Sequence, residues 1–244
     1  VDQVTDVAVH LPSSIAITDE VRKLDDHKFL FVTCVNDDEL YDRCGRHLRK
    51  LIVPQGYKVE MLPVYGAKSM VAGYNTALRH EAKYKIYLHQ DTFIVHKTFL
   101  QELLTLFQSH NSLGLLGMIG CKKFPRGGTW WDGEERIGKV IGYHDKTYLL
   151  IKYKEATAPF ESVVSLDGLL MATQYDLPWR DDLFTGFHFY DASQCAEFIK
   201  RGYLVGVPHQ REPWCLHVNR EDHTFDKAAY AEQRRIFCEH YAYE

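Results

Sequence analysis

The chain has 244 residues, with 29 Lys and Arg against 33 Asp and Glu and a formal charge of −4. That length suits one α/β domain with insertions or two small domains, and 45% hydrophobic with 25% charged residues excludes a disordered or collagen-like chain. The near-neutral balance argues against a nucleic-acid partner, whose phosphates need a basic excess, and no apolar stretch reaches the roughly 18–20 residues of a membrane span.

Residues 1–27 are mixed and polar and read as an N-terminal arm, with one short helix at most. Phe29 to Val35 is a continuous apolar, β-favouring run, as expected of a strand buried on both faces. Asn36-Asp37-Asp38 then caps a helix carrying Leu40, Cys44, Leu48 and Leu51 at helical spacing. Gln55-Gly56 makes a turn into a strand over 58–64, and 68–82 reads as a helix. A short strand over 85–88 ends in His89-Gln90-Asp91, an amphipathic helix covers 97–107, and 113–119 reads as one more buried strand. Strands and helices alternating over the first 120 residues predict a mostly parallel sheet with helices on both faces.

After Cys121 the pattern becomes irregular. Gly127 to Gly133 is a glycine-aromatic loop, and 137–153 reads as a hairpin turning at His144-Asp145. An apolar strand over 163–173 is interrupted at Asp167-Gly168. Asp191 opens a helix, 203–207 is a last strand, and 226–239 a closing helix. Without repeats or linkers, residues 28–244 read as a single domain, with a regular half (28–121) and an irregular half (122–244).

The cysteines Cys34, Cys44, Cys121, Cys195, Cys215 and Cys238 form no CxxC pair and mostly sit in apolar runs. They read as buried thiols in a reducing compartment. No charged-then-apolar leader opens the chain, and Val1 in place of Met reads as a trimmed terminus, a tag scar or a cut from a longer protein. Together these predict a cytoplasmic location.

Ligands of open α/β sheets bind beyond the carboxyl ends of the strands. Asn36, Asp37 and His89-Gln90-Asp91 are therefore the first suspects, although Asn and Asp also serve there as caps and turn formers. The chain has no GxGxxG after its first strand, no GxxxxGK[ST], no GxSxG and no HExxH. Dinucleotide enzymes, P-loop proteins, serine hydrolases and zinc proteases are thereby disfavoured.

The ordered set Cys34-Val35-Asn36-Asp37, Gly73-Tyr74-Asn75, His89-Gln90-Asp91, Asp167-Gly168, Gly186 to Asp191 and His217 spans most of the chain. In that order it resembles glycosyltransferases of the GT-A fold, and among them the streptomycin-biosynthesis-type branch of the inverting, family-2-like enzymes. The resemblance implies transfer of a sugar from a nucleotide-sugar donor to a saccharide or other hydroxyl acceptor. It makes 28–121 the donor half and 122–244 the acceptor half. Val35, Asn36 and Asp37 would hold the base, and Lys68, Ser69 and Asn75 would contact base, ribose or phosphate. His89-Gln90-Asp91 stands at the DxD position, with His in place of the first Asp. Gln90 and Asp91 would face the donor, while Asp91, His217 and His89 would hold Mn²⁺ or Mg²⁺ against its diphosphate.

In the same frame Asp191 is the general base, with Tyr190 in place of the acidic residue usual before it; the alternative is a helix cap. Trp130, Trp131, Asp167 and His188 would meet the acceptor. Equally, one Trp belongs to the core, Asp167 to a turn, and His217 is a structural histidine. His209 and His223 read as loop residues. Phe29, Phe31, Phe99 and Phe107 belong to the core, whereas Trp130, Trp131 and Phe187 to Tyr190 gather on the acceptor side. Two other functions stay open: a non-catalytic nucleotide- or sugar-binding protein, and nucleotidyl transfer. The second is disfavoured by the acidic Asn36-Asp37-Asp38-Glu39, where a triphosphate would want Lys or Arg.

Overall fold

The computed structural model describes residues 4–6, 23–125, 127–144, 146–218 and 226–241. Most of the N-terminal arm with its expected helix, Asp145 at the hairpin tip, and His223 lie outside these residues. In chain order the elements begin β1 (Val4–Asp6), β2 (Asp25–Val35), α1 (Asp38–Leu48), β3 (Lys58–Tyr65), α2 (Met70–Asn75), β4 (Ala82–Leu88) and β5 (Thr92–Ile94). Next come α3 (Phe99–Ser109), β6 (Leu113–Gly117), β7 (Ile119–Lys123), β8 (Glu134–His144), β9 (Thr147–Lys152) and β10 (Phe160–Ser162). The chain continues with β11 (Ser165–Leu166), β12 (Leu170–Thr173), α4 (Tyr190–Lys200), β13 (Leu204–Pro208), β14 (Cys215–Val218) and α5 (Lys227–His240).

An eight-stranded sheet runs in the order β1-β3-β2-β4-β12-β6-β13-β10. β1, β3, β2 and β4 pair in parallel, and β12 is inserted antiparallel between β4 and β6. This is the mostly parallel sheet that the strand–helix alternation predicts, with two reversed strands, β12 inside it and β10 at its edge, supplied from the second half. β1 is an addition that the polar arm does not announce.

The period-two alternation of β2 divides the core. Phe29 and Phe31 face a layer containing Leu40, Cys44 and Leu48 of α1 with Phe99, Leu103 and Phe107 of α3. Leu30 and Val32 face the opposite layer, with Val71 and Tyr74 of α2, Cys195 and Phe198 of α4 and Phe237 of α5. Burial on both faces explains why β2 reads as an unbroken apolar run. All six cysteines are free.

Two expected elements differ. The helix predicted over 68–82 is only α2 followed by a 3₁₀ turn at Thr76–Arg79. Thr76 Oγ1 donates to the Gly73 carbonyl, and Asn75 is clamped to the backbone of Trp179, so the side chains that should extend the helix instead end it. The apolar run 113–119 is likewise two strands in different sheets. β6 stays in the large sheet, while β7 enters a second sheet ordered β11-β7-β8-β14-β5, with β9 paired to β8. At the break, the Met118 carbonyl accepts from Gln210 Nε2 at 2.6 Å.

Gly138 closes against that break with φ +98, where a Cβ would lie 2.2 Å from the Met118 oxygen. A side chain there meets a strained backbone and a backbone atom at once. Gly138→Ala should therefore cost at least about 2 kcal/mol, read as a lowered urea midpoint at unchanged slope.

Candidate active site

β4 delivers His89, Gln90 and Asp91 to the carboxyl end of the large sheet, beside Asn36 at the end of β2. A turn holds them: His89 N donates to Leu169 O and Thr92 N to His89 O, both at 3.1 Å. β14 pairs antiparallel with β5, setting His217 opposite Thr92, and Val218 N donates to the Asp91 carbonyl at 3.0 Å. The junction of the two sheets thus brings together residues far apart in sequence.

Donor atoms of His89, Asp91 and His217 all lie within 4.8 Å of one another. His217 Nε2 is 3.4 Å and His89 Nδ1 3.9 Å from Asp91 Oδ1. That oxygen is buried and accepts no hydrogen bond among the described residues. Burial would push the Asp91 carboxyl up, but the contact and charge of His217 and the charge of His89 outweigh it and hold the group below the usual carboxylate range. For His217, burial acts downward, and Asp91 reverses it to leave a raised value. A half-buried carboxylate between two imidazoles, with an unsatisfied oxygen, fits a divalent cation.

The other ring nitrogen of His89, Nε2, is hydrogen-bonded to the Tyr190 hydroxyl. Tyr190 begins α4, directly after Phe189, which holds a left-handed backbone at φ +59. Asp191 follows within the first turn, so it is not the capping residue of this helix. Its Oδ1 accepts from Ala192 N at 2.8 Å and its Oδ2 from Gly168 N at 3.0 Å. Burial, reinforced by the nearby charge of Asp167, pushes the Asp191 carboxyl up to about 7.

Two cavities open here. The larger, of about 570 Å³, is walled by Val35, Asn36, Gln90 and Asp91 together with Cys34, Ala67 and Met70. The smaller, of about 170 Å³, is walled by Trp130, Trp131, Asp167, Asp191 and Tyr230. His89, Phe187 and His188 line both.

The expected donor contacts therefore separate. Val35, Asn36, Gln90 and Asp91 reach the larger cavity, but the Gln90 amide is already engaged. Its Oε1 accepts from Asn36 N and Asp37 N, both at 3.0 Å, and its Nε2 donates to Asn36 Oδ1, stitching β4 to the end of β2. Asp37 accepts from Leu40 N at 3.0 Å as the cap of α1, and Ser69 accepts from Ala72 N at 3.2 Å as the cap of α2. Asn75 spends both ends of its amide on Trp179, and Lys68 is exposed and lines neither cavity. Capping thus occupies Asp37 and Ser69 and clamping occupies Asn75.

On the acceptor side Trp130, Trp131, Asp167 and His188 all line the smaller cavity. Trp130 is buried and Trp131 is 45% exposed, yet both sit in a 3₁₀ turn rather than on a strand. Asp167 Oδ1 also accepts from Leu169 N at 2.8 Å, as its turn reading expects. His209 is exposed, with Nδ1 on the Ala156 carbonyl at 2.7 Å. Tyr230, brought in from α5 and hydrogen-bonded to Thr129, has no local sequence signal.

A twisted α/β sheet with histidine and carboxylate at its strand ends, backed by a second sheet, is the architecture of a GT-A glycosyltransferase. The chain belongs to the glycosyltransferase-like family, whose profile it matches over residues 30–241. The match does not single out a branch within that family.

Among the solved structures that share the fold are the following two. One is the mannosyltransferase PcManGT from Pyrobaculum calidifontis in complex with GDP-Man and Mn²⁺, at 13% identity and TM-score 0.50, covering 93% of this chain and 69% of that one. The other is TarS 1-349 from S. aureus, at 10% identity and TM-score 0.51, covering 78% of this chain and 60% of that one. No curated protein is a significant sequence match. Among the described residues no helix is long and apolar enough to cross a membrane.

Proposed function

We propose that the protein transfers a sugar from a nucleotide-sugar to an acceptor hydroxyl with inversion at the anomeric carbon. The observation that carries this reading is the pair of cavities meeting at His89, with His89 and Asp91 of a cation-type cluster on the wall of one and the raised carboxylate of Asp191 on the wall of the other. A nucleotide would lie against Val35 and Asn36, in a cavity within the roughly 300–1,000 Å³ usual for small-molecule sites. Asp91, His217 and His89 would hold a divalent cation, which supplies charge screening for the departing diphosphate. The acceptor would enter between Trp131 and His188, with its hydroxyl directed at Asp191. A carboxylate with pKa near ambient pH both exists as base and accepts a proton effectively. One such base and direct displacement suffice for inversion.

Residues 28–244 would act as one domain. Phe187, His188 and Asp226 from its second half complete the wall of the donor cavity, so the halves divide strands more cleanly than ligands. Free cysteines fit a reducing compartment such as the cytoplasm.

Calorimetry with a panel of nucleotide-sugars, with and without Mn²⁺, joined to a donor-hydrolysis assay, tests the reading. Binding strengthened by Mn²⁺ and accompanied by donor turnover is expected. Binding with no turnover under any acceptor would instead identify a nucleotide-binding protein, and no binding of any nucleotide-sugar sinks both.

A further inference from the structure

A strand at the margin of a sheet ordinarily turns an apolar face to the core and a polar face to water. β9 departs from this on both faces. Tyr148, Leu149, Leu150 and Ile151 are all exposed, the two leucines at 52% and 57%, although successive side chains point to opposite sides of the ribbon. Among the described residues every other exposed large apolar side chain stands alone in the sequence. β9 pairs with β8 alone, and the rings of Tyr143 and Tyr148, opposite each other in that pairing, lie 4.9 Å apart. Lysines bracket the run: Lys146 precedes it, and Lys152 and Lys154 follow, all exposed. Residues 139–155 carry four Lys against one Asp and one Glu, a net charge of +2 in a chain of −4.

An apolar patch of this kind marks a contact surface, and its charge and shape sort the partners. A second copy of the chain fits poorly. Two-fold antiparallel pairing of β9 with itself keeps facing side chains on one face, so it centres on Leu149 or Leu150. It then opposes Lys146 to Lys152 or to Lys154, and like charges directly opposite are destabilising. A peptide strand added at the edge would satisfy the backbone but leave both apolar faces in water. A lipid surface covers both faces at once, meets the flanking lysines with anionic headgroups, and seats tyrosine at the boundary between polar and apolar layers.

We propose that the β8–β9 hairpin is a membrane-docking element, which sets Tyr148 to Ile151 into the headgroup layer of an anionic phospholipid bilayer. The ribbon lies on the membrane and does not span it, since the outer backbone edge of β9 requires water or headgroup partners. The sheet ties this contact to the site. Gly142 of β8 stands opposite Leu149 on one side and His217 of β14 on the other. Lipid therefore meets β9 two strand spacings, about 10 Å, from the backbone of His217.

The test is co-sedimentation of the purified chain with vesicles of phosphatidylcholine alone or mixed with phosphatidylglycerol, joined to light scattering without lipid. Binding should be strong on the mixed vesicles, weak on phosphatidylcholine, and should fall as salt screens the lysines. Leu149→Ser with Leu150→Ser should weaken it roughly tenfold or more. Lys146→Gln with Lys154→Gln should weaken it roughly 20–30-fold, at about fivefold per lysine. All four positions are exposed, so the circular dichroism spectrum should not move. No binding to the mixed vesicles, or full binding by the leucine variant, overturns the docking role of β9. Equal binding to neutral and mixed vesicles overturns the choice of anionic lipid. A lipid-free dimer that the leucine variant abolishes assigns the ribbon to a second copy and overturns the proposal.

Discussion

Asp191→Asn is expected to lower sugar transfer by roughly 10²–10⁴-fold while leaving nucleotide-sugar affinity nearly unchanged. The amide keeps the size of the carboxylate but offers no basic lone pair, and Asp191 walls the smaller cavity rather than the larger one. In the wild type the rate should rise with pH through about 7, where the buried carboxyl gives up its proton, and that limb should vanish in the variant. Full turnover in Asp191→Asn, or a flat wild-type profile between pH 5 and 9, would remove Asp191 from the chemistry.

The same carboxyl shapes stability, with a sign that follows from linkage. Its folded pKa, about 7, lies above the ordinary value of 3.8, so the folded chain keeps this proton after the unfolded chain has released it. The stabilisation is complete below about pH 4 and is lost as pH rises to about 7, up to a ceiling of about 4 kcal/mol. Partial solvent access to the side chain reduces that figure. Asp191→Asn removes this pH dependence, although an amide cannot accept from both Ala192 N and Gly168 N. The urea midpoint of the variant should gain on the wild type between pH 5 and 8; an unchanged difference would mean that burial does not raise this carboxyl.

The second large effect is expected at Gly168. An added methyl would meet the Tyr190 phenol oxygen at 2.0 Å, and Tyr190 cannot withdraw because Tyr74 and Trp179 stand behind it. The backbone N–H of Gly168 also holds Asp191 Oδ2, so one substitution disturbs both groups. Gly168→Ala should cost roughly 1–3 kcal/mol by overpacking. It should also lower transfer at least about 100-fold, since small displacements of a positioned group carry that penalty. Denaturation midpoints and initial rates at saturating donor check the two parts separately. A variant with wild-type rate and stability would show that Tyr190 has room to move.

Where a physical constraint was local, it was visible in the chain. The apolar run of β2, the Asp37 cap and the spacing of Leu40, Cys44 and Leu48 each follow from burial and hydrogen bonding within a few residues. Burial on both faces makes a strand conspicuous, and polar residues clustered at its end then stand out. The break at Met118 was hidden because its cause, Gly138 and Gln210 closing on one carbonyl, comes from later in the chain.

The donor wall is less legible for a different reason. Asn, Asp and Ser cap helices and bind ligands by the same hydrogen-bonding chemistry. Asp37, Ser69 and Asn75 thus carry one signal for two uses, and in the structure each bonds to the backbone, whereas Cys34, Ala67 and Met70 supply apolar wall that no motif marks. His89 and Tyr190 each read as a departure from a pattern, and only the three-dimensional structure shows that they bond to each other.

His89, Phe187 and His188 belong to the walls of both cavities. Whatever fills one cavity therefore changes a surface that the other presents. Occupancies that share side chains in this way are thermodynamically linked: the factor by which the first occupant alters affinity for the second must equal the factor in the reverse direction. An affinity measured with one cavity empty is then a property of that half-filled state alone. The quantity that characterises this protein is the coupling between the two.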